Sequence, residues 1–258
     1  MNMTFYKYHG TGNDFIIIDN RSHLFPKKNS ALIASLCNRH FGIGADGLIL
    51  LENDAHSDFK MIYFNSDGNE STMCGNGGRC IVAFAKKLEL FTKKTHFSAI
   101  DGMHHAEEQD SIISLQMINV NDVKIDKNYI FLDTGSPHHV EMVTNLKEYP
   151  VVKKARAIQE IIYKKEGCNI NFVEQMNQDS FKVRTYERGV EGETLACGTG
   201  VTAVALAMHA TNKTSNKIVK LSTLGGDLEV CFDEHKGAYS NIILSGPATY
   251  VFQGIIKV

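Results

Sequence analysis

Two cysteines, Cys74 and Cys197, open nearly the same phrase in this chain: residues 73–85 read MCGNGGRCIVAFA and residues 196–207 read ACGTGVTAVALA. Each phrase is Cys-Gly-x-Gly followed by an apolar run at helical spacing, so each thiol is expected at the N-terminus of a helix. Unpaired backbone N–H groups and a partial positive charge at such an end lower a thiol's pKa, and they also attract a carboxylate or phosphate. Reagent and anion cradle therefore arrive together. Glycines at Gly75, Gly77, Gly198 and Gly200 let a ligand approach the backbone more closely than a side chain would allow. The two phrases stand nearly half of the 258-residue length apart, which is the spacing an internal duplication leaves. Two matched thiols point to a reaction with two matched faces.

The elements that must carry these thiols read in the same order twice. In the first half, strands over residues 5–9 and 15–19 flank the turn Gly10-Thr11-Gly12-Asn13, and a helix over residues 30–39 has Asn29 or Ser30 as its cap. Strands over 47–52 and 59–65 then lead through Ser66-Asp67-Gly68-Asn69 into the Cys74 helix. In the second half, strands near 129–133 and 138–143 precede a helix over 151–163, and strands over 170–175 and 181–186 feed the Cys197 helix. Beyond it, LSTLGGDLEVCF reads as two strands joined at Gly225-Gly226. The segment 249–258 is strand-like and is expected to return to the first domain. The thiol helices have no polar stripe in their central turns, which requires burial within a curved sheet. Domains of 1–117 (with 247–258) and 118–246 follow.

Bulk composition fits this plan. The chain is 43% hydrophobic with a net charge of −2, which supports ordinary packed cores and offers no electrostatic argument for a nucleic acid or an acidic membrane. A small-molecule partner is expected. The N-terminus lacks a signal-peptide h-region and no apolar run approaches the roughly 20 residues a bilayer requires, so a cytoplasmic protein is expected. Six cysteines in such a chain are expected as reduced thiols, four of them small core residues. Residues 42–47, GIGADG, match G-x-G-x-x-G, but they follow a helix and enter a strand, the reverse of the dinucleotide-binding context. No CxxC or HxxxH spacing supports a metal site.

Five segments, HGTGNDF at 9–15, FNSDGNE at 64–70, MCGNGGRC at 73–80, ERG at 187–189 and GETLACGTG at 192–200, resemble the diaminopimelate epimerase family, in that family's order. The resemblance implies two pseudo-symmetric α/β (α+β) domains, each a curved, mostly antiparallel sheet or barrel around a central helix, with the active site in the interdomain cleft. It implies a homodimer and a cofactor-independent epimerisation of LL-2,6-diaminopimelate to the meso form, in the route to lysine and peptidoglycan precursors. Inverting an α-carbon needs a base on one face and an acid on the other, roles that suit Cys74 and Cys197. By the same resemblance, the N–H groups of Gly75, Asn76, Gly198 and Thr199 hold the carboxylate of the reacting carbon, so developing charge meets fixed dipoles rather than a pyridoxal ring. Arg188 grips the distal carboxylate, Glu187 faces an ammonium group, and Asn13, Asn65 and Asn169 are polar ligands to the substrate. His138, after Pro137 in GSPHHV, stands close to the thiols and assists their ionisation. The chain departs from the family where Ser136 replaces a common asparagine, where Gly47 replaces a common glutamine, and where it has Val190-Glu191 between Gly189 and Gly192, a stretch that is sometimes one residue shorter in the family. Two other functions compete on the thiols alone: a proline or hydroxyproline racemase of related type, and a thiol redox switch. Neither calls for the Glu187-Arg188 pair.

Overall fold

In the computed structural model, which describes residues 1–258, the chain begins with a tight hairpin. Strands β1 (Asn2–Gly10) and β2 (Asn13–Asp19) turn on Thr11 and Gly12 alone, both at positive φ, 49° and 87°, as a two-residue hairpin turn requires. The elements that follow are α1 (Ser30–Cys37), β3 (Gly47–Glu52), β4 (Phe59–Asn65), β5 (Glu70–Ser71), α2 (Gly75–Lys87), β6 (Lys94–Ala99), β7 (Gly102–Gln109) and β8 (Ile112–Gln116). Then come β9 (Val123–Ile125), β10 (Ile130–Asp133), β11 (Pro137–Met142), α3 (Val151–Ile158), β12 (Asn169–Gln175), β13 (Ser180–Glu187), β14 (Gly192–Thr194), α4 (Gly198–Ala210), β15 (Ile218–Thr223), β16 (Gly226–His235), β17 (Ala238–Pro247) and β18 (Thr249–Lys257). Contacts divide the chain into two units, Met1–Leu115 with Gly246–Val258, and Gln116–Ser245.

Within the first unit, β2 pairs parallel with β3, β3 antiparallel with β4, β4 antiparallel with β5 and parallel with β6, and β6, β7 and β8 form an antiparallel run. The second unit repeats each step. Strands β10 and β11 form the hairpin, β11 pairs parallel with β12, β12 antiparallel with β13, β13 antiparallel with β14 and parallel with β15, and β15, β16 and β17 close the series. Strand β18 returns to the first unit and pairs antiparallel with β1, Asn2 opposite Lys257. The fold is a mixed, sheet-dominated α/β architecture built twice.

Burial explains the sequence patterns. Every residue of β3, GLILLE, is buried, because the strand is covered on both faces and has no solvent side to reserve for polar residues. On one face, Ile16, Ile18, Leu48, Leu50, Ile62 and Phe64 pack with Ile33, Leu36 and Cys37 of α1. On the other lies α2, which meets β1, β2, β3, β4 and β7. In the second unit, Ile170, Phe172 and Tyr186 pack with Val151 and Ala155 of α3, while α4 is surrounded by β10, β11, β12, β13, β15 and β16. Residues from Val201 to Met208 of α4 are all buried, as a helix without a polar face demands.

Several boundaries differ from the sequence expectation. Helix α1 stops at Cys37 rather than at residue 39, because Asn38 leaves the helical region at ψ 125° and its side chain accepts the N–H groups of His40 and Phe41. Helix α3 ends at Ile158 and continues as a π-helical turn, Gln159–Tyr163. The late hairpin turns on Leu224-Gly225, with Gly226 already paired to Thr223. Strands β5 to β9, β14 and β17 escaped the sequence reading, several of them because charged or histidine residues hide the alternation. No helix is long and apolar enough to cross a membrane.

Candidate active site

Each cysteine stands at the N-cap position of its own buried helix. Cys74 is the N-cap of α2 in extended conformation, and its Sγ accepts the Gly77 N–H at 3.2 Å, so one of the orphan donors of the first turn is spent on the sulfur. Cys197 caps α4 in the same extended conformation, with Sγ 3.4 Å from the Thr199 hydroxyl. Glycine at the third residue after each thiol keeps that sulfur uncrowded. A Cβ on Gly77 would stand 3.1 Å from the Cys74 sulfur, and one on Gly200 would stand 3.3 Å from the Cys197 sulfur and 2.6 Å from Asn171 Oδ1. The other thiols are of a different kind: burial pushes Cys37 and Cys168 up to about 12 and Cys80 higher still, which leaves them un-ionised and inert near neutral pH.

Strand ends place the remaining candidates of the first unit at one end of its sheet. Asn13 opens β2, Gly47 opens β3 and Asn65 closes β4, and the register sets Phe15 opposite Gly47 and Gly47 opposite Asn65. Asn76, in the first turn of α2, donates to Asn13 Oδ1 at 3.1 Å, and Asn13 donates to Asp46 Oδ2 at 2.7 Å. Asn65 is exposed at the strand end. A side chain at position 47 has no room, since its Cβ would lie 2.6 Å from both the Phe64 carbonyl and the Tyr63 ring. Gly47→Gln is therefore expected to lower stability by about 1–3 kcal/mol, as overpacking does, read as a fall in Tm on thermal melting. An unchanged Tm would show that Tyr63 swings aside freely.

The equivalent end of the second sheet is built from β11, β12 and β13. His138 lies opposite Asn169 in the register, and Glu187 ends β13. Asn169 donates to the Ser136 hydroxyl at 2.9 Å and accepts the Arg188 backbone N–H at 2.9 Å. The Arg188 side chain, at the exposed turn between β13 and β14, reaches the Glu166 carbonyl at 3.2 Å and Ser136 Oγ at 3.5 Å. It makes no salt bridge to a carboxylate, which leaves the charge of its planar fork uncompensated within the chain. Glu187 accepts the Thr194 hydroxyl at 2.5 Å. The repeat thus preserved the thiol helices and diversified the strand ends: Asn169 stands where its counterpart is Gly47, and Glu187 where its counterpart is Asn65.

His138 is fully buried. Asn171 Nδ2 lies 3.1 Å from its Nδ1, and the Asn171 oxygen accepts from Thr185, so Nδ1 is the acceptor and Nε2 carries the proton. That Nε2 has no hydrogen-bond partner. Burial, with the Arg188 charge adding to it, pushes the imidazole down to about 3. The histidine is consequently neutral at working pH, and any help it offers a thiolate comes from an N–H donor rather than from a cation. Because the unfolded chain binds this proton below about 6.5 and the folded chain does not until about 3, stability should fall with decreasing pH inside that window. The expected slope from this group is up to about 1.4 kcal/mol per pH unit. A denaturant series from pH 7 to 4 on the protein and on His138→Gln checks it, and equal slopes would place His138 in contact with solvent or an anion. His139, on the opposite face of β11, stacks on Tyr129 and bonds Tyr163, where it serves the core.

Sequence reasoning passed over Arg79, Asp46, Asn171 and Thr134. Arg79 carried a legible sign, a charge on the inward face of a helix that has to be buried. Thr134 holds the Thr199 carbonyl at 2.9 Å, a tertiary contact with no local signature.

Comparison with solved structures gives the class first. A phenazine biosynthesis protein of Bacillus anthracis has a TM-score of 0.81 at 13% identity, covering 100% of both chains. A hydroxyproline epimerase from Agrobacterium vitis has a TM-score of 0.68 at 12% identity, covering 99% of this chain and 92% of that one. This is the fold of twice-repeated, sheet-wrapped helices. Sequence is more specific. The family described as Diaminopimelate epimerase matches residues 5–111 and 130–251, and the diaminopimelate epimerase of Flavobacterium psychrophilum is 58% identical over 256 residues, 98% of this chain and 100% of that one. The chain belongs to the diaminopimelate epimerase family.

Proposed function

We propose that this protein interconverts LL- and meso-2,6-diaminopimelate without a cofactor, Cys74 and Cys197 acting on opposite faces of one α-carbon. The observation that carries the reading is the matched pair of thiols, each at the N-cap position of a buried helix whose first turn is opened by glycine, in a chain of this family. In one direction a thiolate takes the α-proton and becomes a thiol. The electron pair spreads into the substrate carboxylate, where first-turn N–H groups of Gly75, Asn76, Gly198 and Thr199 stabilise the growing charge. The other thiol delivers its proton to the opposite face and is left as the thiolate, so the reverse reaction starts from the exchanged state. Arg188 holds the distal carboxylate, Glu187 the ammonium group beside it, and Asn13, Asn65 and Asn169 complete the polar lining, with His138 as a neutral donor. A cytoplasmic homodimer serving lysine and peptidoglycan precursor synthesis belongs to the same reading.

The test is hydrogen exchange in deuterated water with LL-diaminopimelate, meso-diaminopimelate and proline. The expected result is deuterium entering the α-position of both diaminopimelate isomers as they interconvert, and none entering proline. Exchange into proline alone would overturn the assignment of substrate.

A further inference from the structure

Arg79 is fully buried, yet it makes no salt bridge with any carboxylate. A buried cation without a counter-ion is costly and is retained only where hydrogen bonds satisfy it. Its Nη1 donates to the Gly75 carbonyl at 3.1 Å, its Nη2 to Asn76 Oδ1 at 2.9 Å and to Thr11 Oγ1 at 3.3 Å, and its Nε to the Pro247 carbonyl at 3.4 Å. Thr11 is a β-branched residue held at φ 49°, a strained conformation that persists where surrounding contacts enforce it.

From Arg79 a chain of bonds runs in one direction. Arg79 donates to Asn76 Oδ1, Asn76 Nδ2 donates to Asn13 Oδ1, and Asn13 Nδ2 donates to Asp46 Oδ2. Asp46 is gripped in turn by Arg39 at 2.6 Å, and Arg39 also binds both oxygens of Asp14. An amide turned end for end would set N–H against the guanidinium or oxygen against the carboxylate, so a cation at one end and an anion at the other fix both amides. The side chain of Asn13, a candidate substrate ligand, and that of Asn76, whose backbone N–H is a candidate carboxylate donor, thus have only one permitted orientation.

We propose that Arg79 and Asp46 are positioning residues which, from the two ends of this chain, hold the Asn13 and Asn76 amides in a single orientation beside Cys74. The proposal rests on the functional reading above for the role of Asn13, which the Asn76 amide holds in place. Asp46, whose side chain is 44% exposed, is a safe place to test it: Asp46→Asn removes the charge with no packing change.

The experiment measures kcat/KM for both diaminopimelate isomers, and Tm, in the full chain, Asp46→Asn, Asp46→Glu, Arg79→Lys and the Asp46→Asn/Arg79→Lys double variant. Asp46→Asn is expected to lower kcat/KM about tenfold with little change in Tm, and Asp46→Glu to regain part of the loss. The double variant is expected to lose no more than the worse single one, because either change already releases the chain. Losses that multiply, or Asp46→Asn within twofold of the parent, would overturn the proposal. Should Arg79→Lys fail to fold, Asp46→Asn with Asn13→Ala supplies the same cycle. Alkylation of Cys74 by iodoacetamide, followed by peptide mass, needs no substrate and separates this proposal from the functional reading. A threefold or larger change at Cys74 in Asp46→Asn, with Cys197 unchanged, supports positioning even in a protein inactive on diaminopimelate, and unchanged rates at both thiols would overturn it.

Discussion

Cys74→Ala and Cys197→Ala are each expected to lower epimerisation by at least a thousandfold while the protein remains folded. General acid–base groups contribute about 10²–10⁴ each, and here the loss leaves one face of the α-carbon with no proton carrier at all. The two losses differ from simple inactivation in a measurable way. A variant with one thiol left can still remove and return a proton on that thiol's own face, so α-hydrogen exchange of one stereoisomer should fall much less than epimerisation does. Which isomer exchanges should reverse between the two variants. Cys80→Ala supplies the control, since its thiol is fully buried in α2 and the change should act through packing alone. A folded thiol variant that keeps more than a tenth of normal epimerisation would remove the two-base assignment.

The second large effect is expected at the distal end of the substrate. Arg188 projects from the turn after β13 with only neutral partners, the Glu166 carbonyl and Ser136 hydroxyl, so a substrate carboxylate would be its first anionic one. Arg188→Leu deletes a charge-assisted, bidentate interaction and leaves that carboxylate against an apolar group, a loss of about 3 kcal/mol or more. At about 1.4 kcal/mol per decade, kcat/KM should fall at least a hundredfold. Arg188→Lys retains charge without the planar fork and should restore only part of the loss. Lys153→Ala, on the exposed side of α3, should change little. Near-normal kcat/KM in folded Arg188→Leu would mean that the distal end is held elsewhere, and would weaken the choice of diaminopimelate over a smaller amino acid.

Sequence alone was enough where a strong local pattern spans a few consecutive residues, and not for strands β5 to β9, β14 and β17, which lack one. The phrase Cys-Gly-x-Gly before an apolar run determines a capped, buried helix, because capping, glycine at the first turn and helical periodicity are all local. The doubled order of strand, loop, thiol and helix was likewise readable, and so was the strand character of residues 249–258, whereas the pairing of β18 with β1 is a tertiary outcome. What tertiary structure decided is the state of those residues. His138 is a histidine in any sequence, but only its burial near Asn171 and Arg188 makes it a neutral Nε2–H donor, since a pKa is set by groups distant along the chain. Gly47 reads as a missing side chain, and only the packed Tyr63 ring shows why none fits. Arg79 is legible as a charge on a helix that has to be buried, but only the sheet closed around α2 shows that hydrogen bonds rather than a carboxylate satisfy it and that Asn76, Asn13 and Asp46 continue from it as one directed chain. Local pattern specifies which elements form, whereas desolvation and hydrogen-bond direction depend on neighbours that only the fold assembles.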